Sequence, residues 1–459
     1  MIASLMMGRG RRHEDSGGHG GARDDKSGDD NTSSAAATHR AIEAVWRIES
    51  AKIIAVLARM LRDVGSAEEL AQDVLVTAME QWPEKGVPDN PAAWLTAAAK
   101  NRALDQLRHR SLLITKHQEL GVEMEVRQEL ADAENADKLE RIDEDIDDDL
   151  LRLIFTACHP VLSPEARVAL TLKLLGGLTT EEIARAFLMS EPTVAQRIVR
   201  AKRTLTEAKV PFELPKGEDR AARLASVLEV LYLIFNEGYA ATAGEHWMRP
   251  ALCEEAQRLG RILAGLMPDE GEVHGLLALM EIQASRAAAR TGPKGEPILL
   301  LEQNRARWDH LLINRGLSAL ARAESLGAYG PYALQAAIAA CHARAAQAAA
   351  TDWPRIAALY DALAQLTPSP VIELNRAVAV SMAYGPAAGL EIVDALTEEP
   401  ALKNYHLLPS VRGDFLFKLG RMVEAGAEFE RAASLTRNVR ERSLLLERAL
   451  DCTRALPPA

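Results

Sequence analysis

The stretch EPTVAQRIVRAKRTL (Glu191 to Leu205) carries side chains suited to touching nucleic acid. Read as a helix, it turns Thr193, Gln196, Arg197 and Arg200 outward, and Lys202 and Arg203 follow. Hydroxyl and amide groups exchange hydrogen bonds with base edges, while guanidinium and ammonium groups meet base edges or neutralise phosphates. From Pro192 to Lys209 five basic residues face one acid, Glu207, a local charge of +4. An ordinary amphipathic helix with a solvated basic face would show the same charge, so the surrounding elements must decide between the two.

Immediately upstream, TTEEIARAFL reads as a short helix with Thr179 or Thr180 as its cap and Glu182 in its first turn. MS makes a turn, and Pro192 stands early in the next helix, where its missing N–H costs little. Val194 and Ile198 then fall on the side facing Ile183, Ala184 and Phe187, with the small Ala184 allowing close approach. Two short helices joined in this way are a helix-turn-helix, whose second helix can enter the DNA major groove.

A second basic cluster, KNRALDQLRHR, sets Lys100, Arg102, Arg108 and Arg110 against the single acid Asp105. It continues a helix containing Trp94, behind a Pro- and Asn-containing loop. Trp94, Ala98, Leu104 and Leu107 are expected on its packed side. Such a surface can track a phosphate backbone and receive unstacked bases on an aromatic. Before it, SAEELAQDVLVTAMEQW has Ser66 as its expected cap, Glu69 three residues on, and Leu70, Val74 and Ala78 at helical spacing.

These basic clusters sit in a chain of 459 residues with a net charge of -11. Residues 119–150 hold fourteen acids and three basic residues, which equals that entire charge, so the remainder is neutral. Overall acidity therefore says nothing against nucleic-acid binding. Aromatics are 4% and helix-forming Ala and Leu dominate; the expected fold class is all-α. Four scattered cysteines form no CxxC pair and imply neither a disulfide framework nor a metal site. No apolar run approaches the ~18 residues of a membrane span, and a cytoplasmic location is expected. No P-loop, GxGxxG or HExxH occurs. The CHP of Cys158 to Pro160 reads as a core cysteine at a helix end, and Asn236 and Glu237 in LYLIFNEGY as capping groups. No cofactor, no metal and no enzymatic activity are expected.

The pair AEELAQDVLVTAMEQW…NPAAWLTAAAKNRALDQLRHR and LTTEEIARAFLMSEPTVAQRIVRAKRTL resembles regions 2 and 4 of extracytoplasmic-function (ECF) sigma factors, with the acidic segment where those proteins place their connector. The C-terminal half, from LASVLEVLYLIFNEGYAA, resembles the subgroup with a long tetratricopeptide-like extension. The resemblance implies a promoter-recognition subunit of bacterial RNA polymerase. Glu69, Gln72, Asp73 and Trp82, on the helix of residues 66–82, would dock on the clamp helices of core polymerase's largest subunit, and the flap would be a further contact. Asn90, Trp94, Lys100, Asn101, Arg102, Arg108 and Arg110 would serve the -10 element, with the loop Glu84–Asn90 receiving a flipped base. Thr193, Gln196, Arg197, Arg200, Lys202 and Arg203 would read the -35 duplex. Two departures stand out: Leu188 and Pro192 replace residues that are usually or often Gly in relatives, and Ala195–Gln196 replace the usual Lys-Ser.

The expected organisation is a disordered tail (1–37), a region 2-like domain (38–118), an acidic linker (119–146), a region 4-like domain (147–210) and a helical extension (211–459). Within the extension, helix starts at Pro354, Pro386–Ala387 and Met422 recur about every 33 to 35 residues, so repeats are expected over 330–459. That surface would modulate activity and hold a protein partner. The alternative is a helix-turn-helix regulator that binds duplex operators without polymerase, the repeats being its effector or protein-interaction domain.

Overall fold

The computed structural model describes residues 30–118, 146–240, 248–293, 298–436 and 438–455, without the side chains of 30–37 and 110–118. The acidic linker through residue 145 and the expected tail through residue 29 lie outside the described residues. Among those described, the chain forms α-helices joined by short turns and no β-strand. It divides into two compact units, one ending at Val230 and one starting at Leu231.

The N-terminal unit contains α1 (Asp30–Leu61), α2 (Val64–Lys85), α3 (Pro91–Gln118), α4 (Ile146–Ala157), α5 (Pro164–Leu174), α6 (Thr180–Ala186), α7 (Glu191–Glu207) and the start of α8 (Glu218–Tyr239). Helix α1 begins inside the expected tail, at Asp30 rather than Thr38. An acid at the start and Ala35 to Ala37 favour that extension. α1 is the central post and packs against α2, α3 and α4. Ile53, Leu57, Val74, Ala78 and Leu95 are almost fully buried there, each large side chain contributing ~1.5–3 kcal/mol by leaving water.

Two expectations shift locally. The cap of α2 is Asp63, not Ser66: the Ser66 backbone N–H donates to Asp63 Oδ1 at 2.6 Å. An aspartate two positions before Gly65 is the stronger acceptor, and the helix starts one turn earlier for it. On α3 the deeply buried stripe is Leu95, Ala99 and Ala103, rather than Trp94, Ala98, Leu104 and Leu107, which stay half-buried. Small residues on that stripe let α3 approach the post closely.

The C-terminal unit continues with α9 (Pro250–Leu266), α10 (Gly271–Ala284), α11 (His310–Ser325) and α12 (Pro331–Arg344). Helix α10 packs against α9, α11 and α12. A Cβ on Gly275 would lie 2.7 Å from the Ala333 backbone N, so α10 meets α12 backbone to backbone. α13 (Trp353–Leu366), α14 (Pro370–Tyr384), α15 (Pro386–Ala395), α16 (Leu407–Lys418), α17 (Met422–Leu435) and α18 (Val439–Arg454) follow, each packed on the next. The three expected repeat starts coincide with the starts of α13, α15 and α17 to within a residue. One continuous core, including Trp353, Leu374, Val393, Phe415 and Phe429, runs through this stack.

Candidate nucleic-acid interface

Helix α6 is fixed by a complete capping box. Thr179 Oγ1 accepts from the Glu182 N–H at 3.1 Å, and Glu182 Oε2 accepts from the Thr179 N–H at 2.8 Å. Ile183 and Ala184 of α6 and Val194 and Ile198 of α7 are all at most 5% exposed, which holds α7 across α6. The turn between them contains Leu188 at φ 51°, with its side chain 58% exposed. The helix-turn-helix thus keeps the left-handed turn residue that suits glycine and places a leucine there, at a cost of roughly 1–2 kcal/mol.

On the outer side of α7, Thr193, Gln196, Arg200 and Arg203 are exposed. Thr193 shares a 2.6 Å hydrogen bond with Ser190, and Arg203 is drawn to Glu207 at 2.6 Å. Arg197 is half-buried and lies over the turn, with Nη1 3.5 Å from Met189 Sδ. Val199, 62% exposed, sits within this face. One apolar residue among arginines carries no periodic signal in the sequence, yet an apolar group there suits a thymine methyl.

Lys202 departs from the expected face. It turns toward α2, where its ammonium forms an ion pair with Glu68. Glu68 is 3% exposed; Lys173 Nζ stands 3.7 Å from its carboxylate and Gln72 donates to it at 2.6 Å. At the cap of α2, Asp63 Oδ2 accepts from Thr206 Oγ1 of α7 at 2.9 Å. Burial pushes the Asp63 carboxyl up, but hydrogen bonds from Ser66 and Thr206 and the charge of Lys202 prevail and hold it below its ordinary range. α1 and α4 are joined similarly: Asp149, fully buried, pairs with Arg59 at 3.0 Å and Arg152 at 2.7 Å. The two halves of this unit are therefore tied together by buried carboxylates facing cations. Glu68 could have been noticed as an acid at 64, 68, 71, 75 spacing among apolar residues; its partner could not.

The second cluster lies on α3. Asn90 caps the helix, its Oδ1 accepting from the Ala93 N–H at 3.1 Å. Trp94 is half-buried and meets Trp82 edge to face, ring centroids 5.5 Å apart. Asn101 and Arg108 are exposed and Lys100 is half-buried. Arg102 donates to Thr77 Oγ1 at 2.7 Å and lies 3.7 Å from Asp73. The side chain of Arg110 lies outside the described residues.

On α2, Glu69, Gln72 and Asp73 are exposed. Trp82 is not: at 2% exposure it belongs to the core, since its large apolar ring packs inward beneath Trp94. In its place Val76 and Met79 are 52% and 44% exposed, beside a groove of about 840 Å³ that also borders Trp46 and Leu75. An apolar strip rimmed by charges fits a protein partner. At the CHP turn, burial pushes the Cys158 thiol up to about 11, and His159 Nδ1 accepts from the Val161 N–H. That pair shapes a helix end.

Three family models match the chain: sigma-70 region 2 over residues 47–112, sigma-70 region 4 over 152–205, and a family of unknown function, DUF6596, over 223–324. A Rhizobium meliloti protein described as uncharacterized is 42% identical over 386 residues, which is 84% of this chain and 89% of that protein. SigI of Mycobacterium tuberculosis, described as a probable ECF RNA polymerase sigma factor, is 22% identical over 244 residues, 48% of this chain and 81% of SigI. SigK of Mycobacterium ulcerans, described as an ECF RNA polymerase sigma factor, is 27% identical over 158 residues, 34% of this chain and 78% of SigK. No solved structure matches.

Proposed function

Because this chain belongs to the ECF sigma factors and carries a C-terminal helical extension, we propose that it directs core RNA polymerase in the cytoplasm to a two-part promoter through two separate faces of its N-terminal unit. Thr193, Gln196, Val199 and Arg200 of α7 read the -35 duplex, with Arg203 on the adjoining phosphates. Asn90, Trp94, Lys100, Asn101, Arg102, Arg108 and Arg110 of α3 hold the opened -10 strand. Glu69, Gln72, Asp73, Val76 and Met79 of α2 dock on the polymerase clamp helices. The observation that carries this reading is the donor-rich outer side of α7, exposed on a helix anchored by the α6 capping box. The C-terminal unit modulates the activity and offers a surface to a protein partner, as stacked helical hairpins do.

Run-off transcription tests the whole reading. Full-length protein added to core polymerase is expected to give promoter-dependent transcripts that core alone does not make. Tight binding to a duplex operator with no core-dependent initiation would instead establish the operator-binding regulator.

A further inference from the structure

Two short 3₁₀ turns of the C-terminal unit, Ala287–Ala289 and Arg305–Arg307, pack together and gather cations around two aromatic rings. Arg286, 3% exposed, donates to Tyr239 Oη at 2.7 Å and lies 5.9 Å from the centre of the Trp308 ring. Arg305, half-buried at the edge, lies 4.8 Å from the same ring. Its Nη1 donates to the carbonyls of His342 and Ala345 at the end of α12. Arg290 stacks on Tyr239 at 3.6 Å. His342, 2% exposed, meets Trp353 edge to face.

Two of these cations, Arg286 and Arg305, face no described carboxylate: among the described residues none forms an ion pair with either. A guanidinium cannot shed its proton, and a buried charge without a counter-ion costs several kcal/mol. Hydrogen-bond donors are also in surplus. Arg286 Nε, Arg305 Nε, Trp308 Nε1 and both ring nitrogens of His342 are buried and have no partner. Burial, with the charges of Arg286 and Arg305, pushes His342 down to about 3, so its neutral ring presents one N–H. Unmet buried donors cost ~1–3 kcal/mol each. Elsewhere among the described residues, the buried carboxylates Glu68 and Asp149 face cations.

We propose that Arg286, Arg305, Trp308 and His342 form a binding site for one small oxyanion, a phosphate monoester or a carboxylate. Guanidinium forks match both groups, and Arg305 is half-buried rather than fully enclosed. Tyr239, Arg286, Arg305 and Trp308 fall within the segment matched by the family of unknown function, residues 223–324. The site assigns that segment a ligand class. It involves neither promoter nor polymerase, so its failure and that of the transcription reading are separable.

The test uses the full chain, with inorganic phosphate and acetate as the two probes and sodium chloride at equal ionic strength as control. Tryptophan fluorescence and the thermal midpoint are followed through each titration. A saturable response to one probe, beyond that of chloride, is expected, and the responding probe identifies the oxyanion. Arg286→Met is expected to fold in anion-free buffer and to weaken binding at least tenfold. Trp308→Phe, which removes one N–H and no charge, is expected to weaken it several-fold, and decides the matter if Arg286→Met does not fold. No response beyond chloride, or unchanged affinity in the variants that fold, overturns the site.

Discussion

On α7 two arginines one turn apart have different surroundings, and the difference is measurable. Arg200 is exposed, whereas Arg197 leans onto Met189. Arg200→Ala is therefore expected to weaken promoter binding by ~1–3 kcal/mol, and Arg197→Ala by less. Holoenzyme titrations on one promoter fragment at fixed salt check this order; equal affinities for both variants and the parent would remove α7 from the duplex-reading role. Leu188 gives a prediction of opposite sign. With φ at 51° and an exposed side chain, it gains little from being leucine and is strained by it. Leu188→Gly is expected to stabilise the N-terminal unit by up to ~1 kcal/mol, read from urea unfolding. The sequence departs from its relatives at this position, with leucine where glycine is usual. The structure gives Leu188 the left-handed backbone that glycine adopts freely, and the helices on either side hold it there.

At the scale of elements, the most consequential junction is α2 against α7. Glu68→Gln would leave Lys202 and Lys173 packed around a neutral group, and breaking a buried pair costs on the order of 3–5 kcal/mol. Faster hydrogen exchange along the second half of α7 is the expected readout; unchanged protection would show that apolar packing alone holds the junction. Asp63 adds a pH dependence. Its carboxyl is depressed in the folded state, from an ordinary 3.8. Its stabilising share is thus complete above that value and is lost as pH falls through the lower folded one. Asp63→Asn is expected to flatten the acid limb of unfolding. The helix-turn-helix was legible in the sequence because its signals are local: a capping box, an early proline and an apolar stripe. The Glu68–Lys202 and Arg59–Asp149 pairs were not, since each joins residues far apart in the chain. Trp82 and Trp94 show the same limit, for the resemblance implied a binding role for both and only packing decided which ring went inside.

At the scale of the whole molecule, the boundary between the units passes through α8. Arg167, 7% exposed, donates to Ser226 of α8 and pairs with Glu229 at 2.9 Å, while Ser226 donates to the Cys158 carbonyl at 2.6 Å. A chain ended at Glu213 would strand Arg167, so it is expected to unfold at lower urea than one ended at Tyr239; coincident midpoints would show that α8 adds nothing there. Any loss of transcription on removing the extension must be read against that difference in folding. The Glu68–Lys202 pair has a broader consequence. Glu68 belongs to the helix proposed to meet polymerase, and Lys202 to the helix proposed to meet promoter. A phosphate that claims the lysine frees the carboxylate, and a partner that displaces α7 from α2 frees the lysine. Reciprocity makes the two effects equal in free energy. Polymerase and promoter would then be coupled ligands of one chain, each raising the affinity for the other by the same factor.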